Sequence, residues 1–327
     1  MKSIDLFCGC GGMSLGFMQA GYDIKLSVDS WDKAVEVYKT NFNHKVIQMD
    51  LTEEAPAIEY FKDIKPEIII GGPPCQDFSS AGKRDESLGR ADLTYRYANI
   101  VNAVKPEFFL MENVARIKSS AILSDIIKQF KENGYGLTAV ILDASYCGVP
   151  QARTRFFLIG HQGGKDNALL PYLVKNLSDN PMTIRDYLGD SLGLDYYYRH
   201  PRSYLRRGVF SVDEPSPTVR GVNRPVPPNY KKHDGDADKA DLSTLRPLTT
   251  IERSYLQTFP KEFVFEGTKT NLEQMIGNAV PVNLAKYVAK AIDKYSKSEH
   301  KNNVVETEVL IPTTSLNRLV KMGKLDI

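Results

Sequence analysis

Cysteine is scarce in this chain. Its 327 residues carry four, Cys8, Cys10, Cys75 and Cys147, too few and too scattered for a disulfide framework, so a reducing, cytoplasmic setting is expected. Cys8 and Cys10 are not spaced as zinc ligands, and the five histidines do not gather near them, so no metal site is expected. Long apolar runs are also missing. The longest are of strand length, which predicts neither a signal peptide nor a membrane-spanning helix. Nor is there an excess of one charge: 42 basic residues against 40 acidic ones leave a net charge of +2, which says little about partners. The distribution says more. From Tyr196 to Lys232 lie Arg199, Arg202, Arg206, Arg207, Arg220, Arg224, Lys231 and Lys232, opposed only by Asp213 and Glu214. A local basic stretch in a nearly neutral chain is the footprint of a polyanion-binding surface, although charge density alone does not separate it from a solvated face.

The N-terminal half alternates short apolar runs with amphipathic ones. Strands are predicted at Ser3–Phe7, Ile24–Val28, Lys45–Met49, Glu67–Ile70, Glu107–Met111, Leu137–Asp143 and Arg155–Gly160, the last two as a pair. Helices are predicted between them at Met13–Ala20, Trp31–Phe42, Pro56–Lys62, Tyr95–Val104 and Ser120–Asn133. This repetition predicts an α/β fold with a doubly wound, mostly parallel sheet. After Gly164 the pattern stops. Residues 180–270 are rich in Pro, Tyr, Arg and Asp and show little helical period, which predicts a smaller, loop-rich domain. A helix returns at Val282–Lys294 behind Pro281, and Ser296–Asn303 reads as a polar linker.

Three places carry chemistry. Ile68-Ile69-Ile70 runs into Gly71-Gly72-Pro73-Pro74-Cys75-Gln76. The prolines fix φ and remove backbone donors, so a stiff turn presents a thiol at the carboxyl edge of the sheet, where open α/β folds place their sites. Taken alone, Cys75 reads as a small buried hydrophobe; the turn makes a nucleophile the better reading. Secondly, the first strand ends in a glycine turn with Gly9, Gly11 and Gly12, although Ser14 stands where a dinucleotide fingerprint needs its third glycine. Asp29 and Asp50 end the next two strands and are positioned to accept from the ribose and the amino group of an adenosine, or instead to cap the next helix. This much allows either hydride or methyl transfer. Thirdly, the Gln76–Arg90 segment, rich in Gly, Ser and charge, reads as a loop able to close over a site.

Taken in order, several blocks resemble the cytosine-5 DNA methyltransferase family of the bacterial restriction–modification type. They are Asp5-Leu6-Phe7-Cys8-Gly9-Cys10-Gly11-Gly12, Gly72-Pro73-Pro74-Cys75-Gln76, Glu112-Asn113-Val114, Gln151-Ala152-Arg153-Thr154-Arg155, Arg246-Pro247-Leu248-Thr249 through Phe259-Pro260, and Gln274-Met275-Ile276-Gly277-Asn278-Ala279-Val280-Pro281. The resemblance implies S-adenosyl-L-methionine as cofactor, bound by Phe7, Gly9 and Gly11, by Asp29 at the ribose, and by Asn278 and Ala279; Gly12, Pro73 and, from its strand-end position, Asp50 at the adenine are expected beside them. It implies a methyl transfer to C5 of a cytosine swung out of duplex DNA, with Cys75 adding to C6 and Gln76 beside it. Glu112 would hold N3 and the amino group with a raised pKa, Asn113 would hold Glu112 or the loop, and Arg153 and Arg155 would supply positive charge. Ser79, Lys83 and Arg84 of the loop, and Arg199, Arg202, Arg206, Arg207, Thr218, Arg220 and Arg224 of the second domain, are the expected DNA contacts. The implied division is 1–180 with 272–327 as the catalytic domain and 181–271 as the target-recognition domain. A monomer is expected, with a cognate endonuclease as a possible partner and no membrane. The alternatives are an RNA cytosine-5 methyltransferase, a non-catalytic DNA-binding relative and, more remotely, a nicotinamide oxidoreductase.

Overall fold

A computed structural model of the chain describes residues 1–74, 92–201, 203, 206–237 and 239–301. The first half builds one seven-stranded sheet from β1 (Lys2–Leu6), β2 (Asp23–Asp29), β3 (Lys45–Gln48), β4 (Ile68–Gly71), β5 (Phe108–Val114), β6 (Tyr135–Asp143) and β8 (Thr154–Gln162), with the two-residue β7 (Gln151–Ala152) just ahead of β8. The strand order is β3-β2-β1-β4-β5-β8-β6. All neighbours run parallel except β8, which is antiparallel to both β5 and β6. The expected pairing of the last two strands is present, and the order reverses at β1, which lies between β2 and β4.

Ile68, Ile69 and Ile70 are fully buried, as a central parallel strand covered on both faces requires. The covering helices are α1 (Gly12–Gln19), α2 (Asp32–Asn41), α3 (Glu54–Ile64), α4 (Asp92–Val104) and α5 (Ala121–Glu132), followed by α6 (Leu170–Val174) and α7 (Ile184–Leu188). Phe17, Ile70, Leu110, Phe157 and Leu284 belong to the core on one face, and Leu6, Phe61, Ile69, Phe109 and Phe130 to that on the other. Ser120 begins α5 by accepting the N–H of Leu123, as its N-cap side chain predicts.

The second half carries β9 (Tyr196–Tyr198), β10 (Val209–Ser211), β11 (Ser216–Pro217), α8 (Thr250–Leu256), α9 (Lys269–Asn278) and α10 (Val282–Lys301). Three expectations are corrected here. The region 180–270 does hold helices, α7 and α8, each started by a capping box, Thr183 with Asp186 and Thr249 with Glu252. The expected linker from Ser296 is instead the last turns of α10, where Ser296 is buried and Ser298 shares a hydrogen bond with Tyr172 at 2.7 Å. And β5 runs on to Val114, so Glu112 and Asn113 lie inside the strand rather than beyond it. The second half packs onto the sheet half through one apolar cluster containing Cys10, Val37, Phe210, Leu256, Met275 and Val282.

Candidate active site

The turn after β1 is built for close approach. Phe7 and Gly9 sit at φ 58° and 54°, and Gly11 at 95°. For Phe7 a left-handed backbone costs on the order of 1–3 kcal/mol, the kind of strain that recurs at functional sites. A Cβ on Gly9 would meet nothing within 4 Å, so its outer side is an open cradle. Asp29 at the end of β2 accepts the Gly9 N–H at 2.7 Å and the Trp31 N–H at 2.8 Å, which fixes the turn against the neighbouring strand. Burial raises the Asp29 pKa, and these N–H groups oppose the rise. The open cradle, the anchored acid and the N-terminus of α1 suit an adenosine-bearing ligand. Asp50 stands past the end of β3, exposed, with Oδ1 accepting the Thr52 N–H at 2.9 Å, a local capping role. At Gly12 a Cβ would lie 2.3 Å from the Val280 carbonyl, so the bare Cα lets the turn pack closely against the α9–α10 turn.

Across the switch point, β4 delivers Gly72, Pro73 and Pro74. Cys75 itself lies outside the described residues, as do Gln76, Ser79, Lys83 and Arg84 of the segment after it, and Arg202 of the basic stretch. Asn113 donates from Nδ2 to the Pro73 carbonyl at 3.3 Å and accepts the Val114 N–H at 2.8 Å, so it holds the turn rather than its neighbour Glu112. Glu112 Oε1 accepts from Arg155 Nε at 2.8 Å, with both side chains little exposed. A Cβ on Gly72 would come within 3.1 Å of Glu112 Oε2, which puts the carboxylate directly against the turn. Burial raises the Glu112 pKa, while Arg155 and then Arg153 pull it down; burial likewise lowers Arg155. Desolvation outweighs pairing on both partners.

Arg153 is neither a surface charge nor a second partner of Glu112. It is 1% exposed, and its Nη atoms donate to the carbonyls of Val219, Gly277 and Ala279. Its charge still reaches Glu112 through space. Asn278 is exposed, and its Oδ1 accepts from Gln274 Nε2 at 3.4 Å.

Beyond β7 opens a cleft of about 650 Å³, lined by Ala152, Arg199, Arg206, Arg207, Thr218 and Arg220 among others. It gathers Arg199, Arg206, Arg207 and Arg220, four of the eight basic residues in the stretch from Tyr196 to Lys232. Their environments differ. Arg207 is paired with Glu214, at 2.5 Å to one oxygen and 3.1 Å to the other, and lies over the Phe210 ring at 4.2 Å. Arg199 donates to the Thr218 carbonyl at 2.7 Å, Arg220 donates to that of His200, and Thr218 donates to that of Ala152 at 3.0 Å. Arg206 and Arg224 are exposed.

The family model described as C-5 cytosine-specific DNA methylase matches residues 1–294. The chain belongs to that family. Type II methyltransferase M.HindV of Haemophilus influenzae is 63% identical to the methylase over 297 residues, which cover 91% of this chain and 98% of that protein. Type II methyltransferase M.HgiDI of Herpetosiphon aurantiacus is 56% identical over 295 residues, 90% of this chain and 95% of that one. Among solved structures, a DNA modification methyltransferase encoded within an E. coli prophage superposes with a TM-score of 0.67 at 24% identity, covering 91% of this chain and 99% of that chain. S. pombe Dnmt2 methyltransferase gives a TM-score of 0.66 at 20% identity, covering 91% and 99%. The sheet is thus the methyltransferase fold, and the enzyme is a DNA cytosine-5 methyltransferase acting with a methyl donor.

Some residues of the methylase site carried no signal of their own in the sequence. Gln151 and Gln257 are fully buried and bonded to each other at 2.8 Å. Beneath the glycine turn, Asp5 Oδ2 accepts from Ser14 Oγ at 2.5 Å, Tyr38 Oη donates to Ser14 Oγ at 2.7 Å, and Tyr38 Oη meets Ser27 Oγ and His44 Nε2 at 2.6 Å each. Ser14 breaks the dinucleotide pattern because it belongs to this network. No helix of the described residues is long and apolar enough to cross a membrane.

Proposed function

We propose that the methylase modifies C5 of a flipped cytosine in a short duplex DNA sequence, using S-adenosyl-L-methionine and a transient bond from Cys75 to C6. The observation that carries this reading is the buried Glu112–Arg155 pair pressed against the turn that ends at Cys75. Cytosine C5 is a poor nucleophile. Addition of a thiolate at C6 makes C5 enamine-like, and the negative charge moves toward N3. Glu112, with its raised pKa, holds a proton toward N3 and accepts from the amino group, while Arg155 keeps the carboxyl oriented. After methylation, loss of the C5 proton and of the Cys75 sulfur restores the aromatic ring.

The cofactor supplies a methyl group on a sulfonium centre. Phe7, Gly9, Gly11, Asp29 and Pro73, with Asn278 and Ala279 from the last block, are the residues we assign to hold it, with Asp50 toward the adenine. Residues 181–271 act as the target-recognition part, and the cleft between Ala152 and Arg220 receives the duplex, its arginines meeting phosphates and guanine edges. Unstacking the base costs a few kcal/mol, offset by these contacts. The type II names of the relatives support a place in a restriction–modification system, with the chain working as a cytoplasmic monomer.

Bisulfite sequencing of DNA from cells expressing the chain tests the reaction: a short sequence protected at one cytosine is expected. A duplex carrying 5-fluorocytosine at that position should be trapped covalently by the wild-type chain and not by Cys75→Ser. DNA that stays unmethylated, or trapping that survives Cys75→Ser, overturns the reading.

A further inference from the structure

A fully buried polar knot joins the DNA-reading segment to the cofactor turn. Gln151 accepts the Val219 N–H at 2.8 Å and donates to the Leu256 carbonyl at 3.0 Å and to Gln257 Oε1 at 2.8 Å. Arg153 donates to the Val219, Gly277 and Ala279 carbonyls at 3.0 Å each. Gln257 donates to the carbonyls of Ile276 at 2.5 Å and Ala279 at 3.1 Å. Val219 is therefore gripped at both backbone groups, and the Ala279 carbonyl receives donors from two side chains. Each grip sits at or beside a residue assigned to a ligand. Thr218 and Arg220, on either side of Val219, line the basic cleft. Ala279 is followed by Val280, whose carbonyl is packed on Gly12 beside the cofactor cradle.

Two features go beyond satisfying buried carbonyls. A Cβ on Gly277 would lie 2.3 Å from the Gly221 nitrogen, so α9 rests directly on the recognition backbone with no compressible side chain between them. The bridge itself is a buried cation whose Nε has no partner among the described residues, an arrangement with a desolvation cost that neutral donors would avoid. A stiff charged bridge between two ligand-binding segments means that ordering one segment lowers the cost of ordering the other.

We propose that this knot makes target-DNA binding and cofactor binding mutually dependent, with Arg153 as the positioning residue that joins them. The proposal rests on the proposed methyl-transfer function. Because coupling between two binding equilibria is reciprocal, the factor by which DNA tightens cofactor equals the factor by which cofactor tightens DNA.

The test is calorimetric titration of the full chain with S-adenosylhomocysteine, alone, with a duplex that the wild type methylates, and with a scrambled duplex. The wild type should bind S-adenosylhomocysteine about fivefold or more tightly with the methylated-site duplex, and with little change in the scrambled one. In Arg153→Lys the factor should fall to within about twofold of unity, read as a ratio of affinities with and without DNA so that any change common to both cancels. Gln257→Met should show the same loss, and serves if Arg153→Lys does not fold. Arg185→Gln removes ion pairs to Asp190, Asp195 and Asp213 outside the knot, so it should lower thermal stability and keep the factor. A knot variant that methylates DNA with the wild-type factor, or a wild type with no factor, overturns this proposal alone. A chain that methylates no duplex overturns the functional reading, and this proposal with it.

Discussion

Glu112 matters for its setting. In a buried carboxylate inside an apolar strand, with one cation 2.8 Å away, desolvation raises the pKa, which suits giving a proton and taking it back. Glu112→Gln keeps an acceptor for Arg155 and loses that proton. Its turnover should fall by about 100-fold or more, measured by tritium transfer to substrate DNA, with folding retained by circular dichroism. Unchanged turnover would remove Glu112 from the chemistry. Asp5 offers a pH test. Burial lifts its carboxyl from 3.8 to about 7, so the native chain keeps a proton that the unfolded chain gives up. Its contribution to stability is complete below the unfolded value and is lost as pH rises through about 7, with a slope approaching about 1.4 kcal/mol per pH unit. Asp5→Asn should gain on the wild type in urea melts as pH is raised across that window; a constant difference would refute the assignment. Glu112 was legible in the sequence because it closes the apolar run Phe108-Phe109-Leu110-Met111 within the block Glu112-Asn113-Val114 that carries the resemblance; by itself it reads as a strand-end acid. The embedding of Arg153 was not, because its partners are backbone carbonyls, and these leave no residue pattern.

Elements were legible where a period could be counted. The alternation from β1 to β8 follows from strand-length apolar runs separated by amphipathic stretches, and their ends fall within a few residues of those predicted. The helices α7 and α8 run only from Ile184 to Leu188 and from Thr250 to Leu256, too short for a repeat, so their capping boxes were their only marks. The last turns of α10 look polar in sequence because they pack on Tyr172 and His161 through hydroxyls as well as through apolar surface. The contact between α1 and the α9–α10 turn can be probed directly. Gly12→Ala places a methyl 2.3 Å from the Val280 carbonyl and must push the two apart. We expect a loss of about 1–3 kcal/mol in stability together with weaker S-adenosylhomocysteine binding by calorimetry. An unchanged melting curve would show that the turn gives way freely.

At the scale of the whole molecule, a net charge of +2 conceals a basic cleft. Binding should therefore depend on salt through a few local contacts. Arg206→Ala should lower the slope of log affinity against log salt by about one and weaken cognate and scrambled duplexes alike, as read by fluorescence anisotropy across a salt series. A loss confined to the cognate duplex would instead make Arg206 a reader of bases. The single reversed strand has a wider consequence. In a sheet whose strands all run one way, only the exit of each strand reaches the reactive rim. Because β8 enters where its neighbour β5 leaves, with Arg155 opposite Val114, the chain arrives at that rim with a residue at the very start of a strand. An anion and its counter-ion thus meet on rigid, laddered backbone from both sides, and neither has to be carried there by a loop.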